Sequence, residues 1–254
     1  MPASMPASMD GFAKTRFTAP VGRHPTTFDL YTTGSGPPVI VMQEMPGIGQ
    51  TTIQFCTRLT DAGFEVWVPH WFGPLGATSP LNVVRLLCMR REFQVFAKNQ
   101  SSAIVDWMRA LCRHVAQARK VERLGVIGMC LSGNFAMTLI AEPNVWAGVA
   151  SQPSLPGRAA GALHMSGAEI AASRAALDAK GAMRAYRFRD DPLCPAAKFD
   201  AIEGAFNDGA VRVVTKVLAG KGHSVFTGHY DEAPESPTAN ALREVIDYLR
   251  KQLG

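Results

Sequence analysis

From residue 39 to residue 252 the chain alternates between short β-prone apolar runs and longer segments with apolar residues at helical spacing. VIVMQE (39–44), EVWVPH (65–70), RLGVIG (123–128), WAGVASQ (146–152), MRAYRF (183–188) and VRVVTKVL (211–218) read as strands. Residues 51–63, 81–97, 101–117, 134–142, 166–179, 196–207 and 236–252 read as helices. A run as continuously apolar as VIVM is buried on both faces, as in a parallel sheet covered by helices. The alternation therefore predicts βαβ units with right-handed crossovers, and a mostly parallel central sheet with helices on both faces. TTFDLYTT (26–33) alternates as a half-buried strand does, and GSGPP (34–38) is a turn. Residues 1–20 carry no such pattern and are expected to form a flexible tail, leaving 21–254 as a single α/β domain.

Composition narrows the function classes. Hydrophobic residues make up 47% and charged residues 19%, so a chain of 254 residues can bury a large core without staples. The net charge of +5 is scattered, with Arg90-Arg91 and the loose cluster Lys120 to Arg123 its densest points. Without a basic run interleaved with aromatics, nucleic acid is not an expected partner. The five cysteines (Cys56, Cys88, Cys112, Cys130 and Cys194) are odd in number and widely spaced, with no C-x-x-C pair. That pattern disfavours a disulfide framework or a metal site and fits a reducing cytoplasm. MPASMPASM lacks the basic and apolar regions of a signal peptide, and no apolar run approaches the ~20 residues of a membrane span.

In an open α/β sheet, functional residues sit on loops beyond the carboxyl ends of the strands. One such loop is GMCLSG (128–133), between a strand and a helix. A nucleophile held at a sharp strand-to-helix turn needs small neighbours, and Gly128, Ser132 and Gly133 supply them. Cys130 would stand at the tip over a helix N-terminus, which favours thiolate over thiol. The Leu131 N–H would point to the same place as an oxyanion donor. The alternatives are a small buried cysteine in a tight turn, or Ser132 as nucleophile, although Ser132 falls on the first helical turn. RDDPLCP (189–195) and AGKGHS (219–224) follow the next two late strands. They offer an acid and a histidine in the order nucleophile, acid, histidine, as in α/β hydrolases. Cys130, Asp191 and His223 satisfy that order, with Asp190 as the competing acid. His70 ends a strand near the same sheet edge and is a candidate for lining the pocket.

VIVMQEMPGIG, GVIGMCLSG, DDPLCP and LAGKGHSVF together resemble the dienelactone hydrolase family over about residues 26–252. The resemblance implies an α/β-hydrolase fold, hydrolysis of a small-molecule ester or lactone, and no cofactor. It implies Cys130 as nucleophile, His223 as base, Asp191 as its orienting acid, and Glu44 as a carboxylate contacting the resting thiol. The Met45 N–H becomes the second oxyanion donor beside Leu131. Family members that cleave dienelactone grip the substrate carboxylate with two arginines. Arg90 or Arg91 can stand for one of them, but Thr227 lies near where the other is expected. A threonine hydroxyl cannot replace a bidentate guanidinium, so the acid portion of the substrate is expected to differ. The competing readings are a non-catalytic small-molecule-binding fold and a redox-sensing thiol with Cys194 as its resolving partner. A monomer or small homo-oligomer is expected.

Overall fold

The computed structural model describes residues 8–45, 47–71, 73, 75, 102–154 and 161–254. The helix expected at 81–97, with Arg90 and Arg91 on it, lies outside the described residues. Eight strands form one sheet: β1 (Ala13–Val21), β2 (His24–Gly34), β3 (Pro38–Met42), β4 (Glu65–His70), β5 (Leu124–Met129), β6 (Val145–Ser151), β7 (Met183–Phe188) and β8 (Val213–Leu218). The helices described are α1 (Gln50–Asp61), α2 (Ile104–Arg119), α3 (Leu131–Leu139), α4 (Gly167–Lys180), α5 (Ala196–Phe206) and α6 (Pro237–Leu253).

The strand order is β1-β2-β4-β3-β5-β6-β7-β8. β2 runs antiparallel to both β1 and β4, and every later pairing is parallel. The sheet is thus mostly parallel, with helices on both faces, as the alternation required. β3 and β5 are buried along their whole length, which is why they read as unbroken apolar runs. One face packs Trp107, Leu111 and Val115 of α2 with Phe135 of α3, Leu177 of α4 and Ile202 of α5. The other packs Phe55 and Leu59 of α1 with Leu242 and Val245 of α6. Every residue of α3 is buried. Each large apolar side chain so buried contributes on the order of 1.5–3 kcal/mol.

The chain leaves β3 for β4 on one side and then returns to β5 on the other. The crevice beyond the carboxyl ends of β3 and β5 is therefore the topological switch point where such sheets hold their ligands. Cys130 follows β5 directly, and Glu44 lies two residues past β3.

The N-terminal segment departs from expectation. Residues 13–20, expected within a flexible tail, belong to β1, which pairs with β2 along its length from Ala13↔Thr32 to Val21↔His24. The two strands meet across Gly22 and Arg23, and Gly22 has φ +59°. Positive φ at the first central residue is what a tight two-residue hairpin asks for. Most of β1 is exposed, so its sequence carries little apolar alternation to read.

Candidate active site

Cys130 sits between β5 and α3 with φ +58° and ψ −123°. A residue with a Cβ pays for that conformation, and it persists only where the surroundings over-determine it. Here they do. A Cβ on Gly128 would lie 2.1 Å from the Ser132 carbonyl oxygen, so only glycine lets the turn close. A Cβ on Gly133 would stand 3.0 Å from Pro153 Cα, so that position also carries the close approach of the β6 loop. The Cys130 N–H donates to the Ser151 carbonyl at 3.1 Å.

Ser132 is occupied otherwise. Its hydroxyl accepts from the Met129 N–H at 2.9 Å and lies 2.9 Å from the Met129 carbonyl and 3.1 Å from that of Met42. It works as a buckle between β3 and the elbow. The frame's departure from glycine at this position has a structural use, and the serine is not directed toward the site.

Asp191 and His223 meet. Asp191 Oδ2 and His223 Nδ1 are 2.8 Å apart. Asp191 Oδ1 accepts from the N–H groups of Leu193 at 2.8 Å and Cys194 at 3.1 Å, which fixes the carboxylate. Burial raises the Asp191 pKa, but hydrogen bonds from His223 and these backbone donors outweigh it and hold it below its ordinary value. The competitor Asp190 is exposed and faces Arg189 at 3.4 Å. Burial likewise opposes charge on His223, yet the Asp191 hydrogen bond and the nearby Cys130 sulfur raise its pKa to about 10. His223 Nε2, the nitrogen away from Asp191, is buried and has no partner at hydrogen-bonding geometry among the described residues. The Cys130 sulfur is nonetheless near enough to favour a proton there.

Glu44 is 6% exposed. The Thr227 hydroxyl donates to its Oε1, and Gln152 Nε2 donates to its Oε2 at 3.2 Å. Burial raises the Glu44 pKa, and the hydrogen bonds from Thr227, Ser224 and Gln152, with the His223 charge, offset only part of that. A contact between Glu44 and the resting thiol, which the resemblance implies, is not among these bonds. The Cys130 sulfur instead has the Ser154 hydroxyl at 3.2 Å.

The two proposed oxyanion donors lie on adjacent elements. Leu131 is the first residue of α3, so its N–H has no partner within the helix. Met45 follows Glu44 in the turn closed by the Gly47 N–H on the Glu44 carbonyl at 2.9 Å. His70 stands at the carboxyl end of β4, but its Nε2 is 2.7 Å from the Gly73 carbonyl and its ring lies edge-on to Tyr31. No described contact joins it to Cys130, His223 or Asp191.

Three participants escaped the sequence. Gln152 is wholly buried with φ +35° and touches Glu44, the Ser151 hydroxyl and the Val225 N–H. Ser154 follows it. His229 accepts through Nδ1 from the N–H groups of His223 and Ser224 at 3.4 and 3.3 Å. A Cβ on Gly222 would strike its ring at 2.6 Å, so Gly222 lets His229 fold under the histidine loop. The only signal for Gln152 and Ser154 was their place just after a central strand. His229 had none.

Among the described residues, no group of three His, Cys, Asp or Glu side chains is arranged to hold a metal ion. No described helix is long and apolar enough to cross a membrane.

The sequence pattern of the dienelactone hydrolase family matches residues 29–253. A curated protein of Methylorubrum extorquens assigned as a carboxymethylenebutenolidase is 22% identical over 221 residues, covering 86% of this chain and 73% of that protein. Among solved structures, one assigned as a dienelactone hydrolase from Klebsiella pneumoniae superposes with a TM-score of 0.63 at 15% identity, covering 94% of this chain and 99% of the other. A dienelactone hydrolase-like promiscuous phosphotriesterase from metagenomic libraries gives 0.66 at 16%, covering 96% and 100%. A Pyrococcus furiosus esterase gives 0.64 at 15%, covering 96% and 93%. At these identities the structural matches speak for the fold, and the family match speaks for the chemistry.

Proposed function

The chain belongs to the dienelactone hydrolase family and is a carboxylic ester hydrolase, and from that premise we propose that it cleaves small esters or lactones through Cys130, His223 and Asp191. The observation that carries this reading is the buried Asp191–His223 hydrogen bond at 2.8 Å, with the free ring nitrogen beside a strained elbow cysteine.

The thiol proton of Cys130 passes to His223 Nε2, and Asp191 holds the resulting imidazolium. The thiolate attacks the ester carbonyl, forming the C–S bond and moving the carbonyl electrons onto oxygen. The N–H groups of Leu131 and Met45 receive that oxyanion. Collapse breaks the C–O bond, and the alkoxide takes the proton from His223. In a lactone the alkoxide stays tethered to the acyl group. Water, deprotonated by His223, then adds to the thioester and releases the acid and the thiolate.

The acid portion of the substrate is proposed to be uncharged near Thr227. That side chain offers no guanidinium to a second carboxylate, and its hydroxyl is committed to Glu44.

Hydrolysis of p-nitrophenyl acetate by wild type and Cys130→Ala at neutral pH tests the triad. The variant is expected to lose at least about 10³-fold in turnover. Undiminished turnover by a folded Cys130→Ala protein would sink the mechanism.

A further inference from the structure

We propose that Ser154 is a further catalytic residue: its hydroxyl faces the Cys130 sulfur and donates a hydrogen bond to the thiolate once Cys130 ionises. This rests on the reading of Cys130 as the nucleophile.

The argument begins with how firmly Ser154 is placed. Its N–H donates to the Cys130 carbonyl at 3.1 Å, and the Cys130 N–H returns a bond to Ser151 on the same loop. Asn134 Nδ2 reaches the Ser154 carbonyl at 2.9 Å and the Leu131 carbonyl at 3.0 Å, tying the serine to the first turn of α3. Pro153 lies directly against Gly133. None of these contacts uses the Ser154 hydroxyl. The loop and the elbow are clamped through backbone and Asn134, and the hydroxyl is left 3.2 Å from Sγ. Ser154 is 6% exposed and Cys130 5%, so little water competes for either.

A thiolate has no proton, so in the ionised state the hydroxyl must be the donor. A hydrogen bond to the charged form lowers the pKa of the group that accepts it. The other groups acting on the sulfur are His223 past β8, with Asp191 behind it, Cys194 ahead of α5, and the N-terminus of α3. Glu44, past β3, acts on His223 and is held by Thr227 and Gln152. The carboxylate that the family resemblance places on the thiol is thus engaged elsewhere, and a neutral hydroxyl occupies the contact instead. A neutral donor stabilises the thiolate without the like-charge repulsion a carboxylate would bring.

The test reads ionisation and rate separately. Thiolate absorbance and iodoacetamide alkylation are followed against pH for wild type, Ser154→Ala and Ser154→Thr, with Cys130→Ala subtracted as background. Ser154→Ala is expected to raise the Cys130 midpoint by about one pH unit and slow alkylation below that midpoint about tenfold. Ser154→Thr, which keeps the hydroxyl, is expected to restore much of both. Ser154→Ala removes no backbone contact, so its unfolding midpoint is expected to stay near the wild-type value. An unchanged or lowered Cys130 midpoint in folded Ser154→Ala overturns the proposal. If wild-type Cys130 shows no thiolate and no Cys130-dependent hydrolysis, the nucleophile reading fails and takes this one with it.

Discussion

At the scale of single residues, the site is governed by who satisfies whom in a buried space. Glu44 is a carboxylate almost removed from water, and burial by itself would make its charge expensive. Thr227 donates to one of its oxygens and Gln152 to the other. This makes Thr227 more than a missing arginine, because its hydroxyl has become part of the carboxylate's support. Thr227→Val keeps the shape and removes the donor. It is expected to cost about 1–3 kcal/mol through the unsatisfied acceptor, or a few degrees in Tm for each kcal/mol in a chain of this size. Differential scanning calorimetry checks it, and an unchanged Tm would mean that Glu44 is neutral or finds other donors. Ser132 teaches the complementary lesson. A hydroxyl two residues from the elbow cysteine is a chemical candidate on paper, but its bonds are all to backbone of β3 and β5.

At the scale of elements, the elbow is where sequence and geometry lock together. β5 must stop, turn through a strained cysteine and enter α3 within a few residues. The Ser132 carbonyl occupies the space where a side chain at 128 would begin. Gly128→Ala is therefore expected to destabilise the fold by about 3 kcal/mol or more, since the clash is with backbone and cannot be relieved by a rotamer change. Urea unfolding measures it. A midpoint within experimental error of wild type would show that the elbow is softer than its contacts suggest. The histidine loop after β8 is held in a similar way, with Gly222 at φ +140° admitting His229 beneath it.

At the scale of the whole molecule, the His223–Asp191 pair couples stability to pH at both ends. His223 has a native pKa of about 10, above its ordinary 6.5. The stability it contributes is full below about 6.5 and is lost as pH rises through about 10. Asp191 is shifted the other way, so its contribution is present above its ordinary 3.8 and is lost as pH falls through its lower native value. Buried Lys198, lowered to about 8 mainly by burial, works against His223, because stability rises as that lysine discharges. Only the difference between variant and wild type isolates one group. In urea midpoints from pH 4 to 10, His223→Gln is expected to remove part of the alkaline decline. An alkaline slope identical to wild type would show that His223 is not held as the imidazolium.

The sheet was legible because its signals are local: β3 and β5 are apolar along their length, and each helical segment repeats its own period. Cys130, Asp191 and His223 stand out in the sequence as a candidate set because each follows its own strand, and strand order alone fixes which edge they share. β1 was missed because an edge strand exposed along most of its length leaves no apolar pattern to read. The partners of Glu44, the buckle of Ser132 and the approach of Ser154 to sulfur were hidden for a different reason. Each joins residues far apart in the chain, such as Glu44 to Thr227 and Cys130 to Ser154. The sequence by itself determined the strands and the elbow turn, since these follow from periodicity and steric demand along the chain. Only the tertiary structure decided which carboxylate oxygen, hydroxyl and ring nitrogen meet, because a hydrogen bond depends on tenths of an ångström between loops that sequence does not bring together.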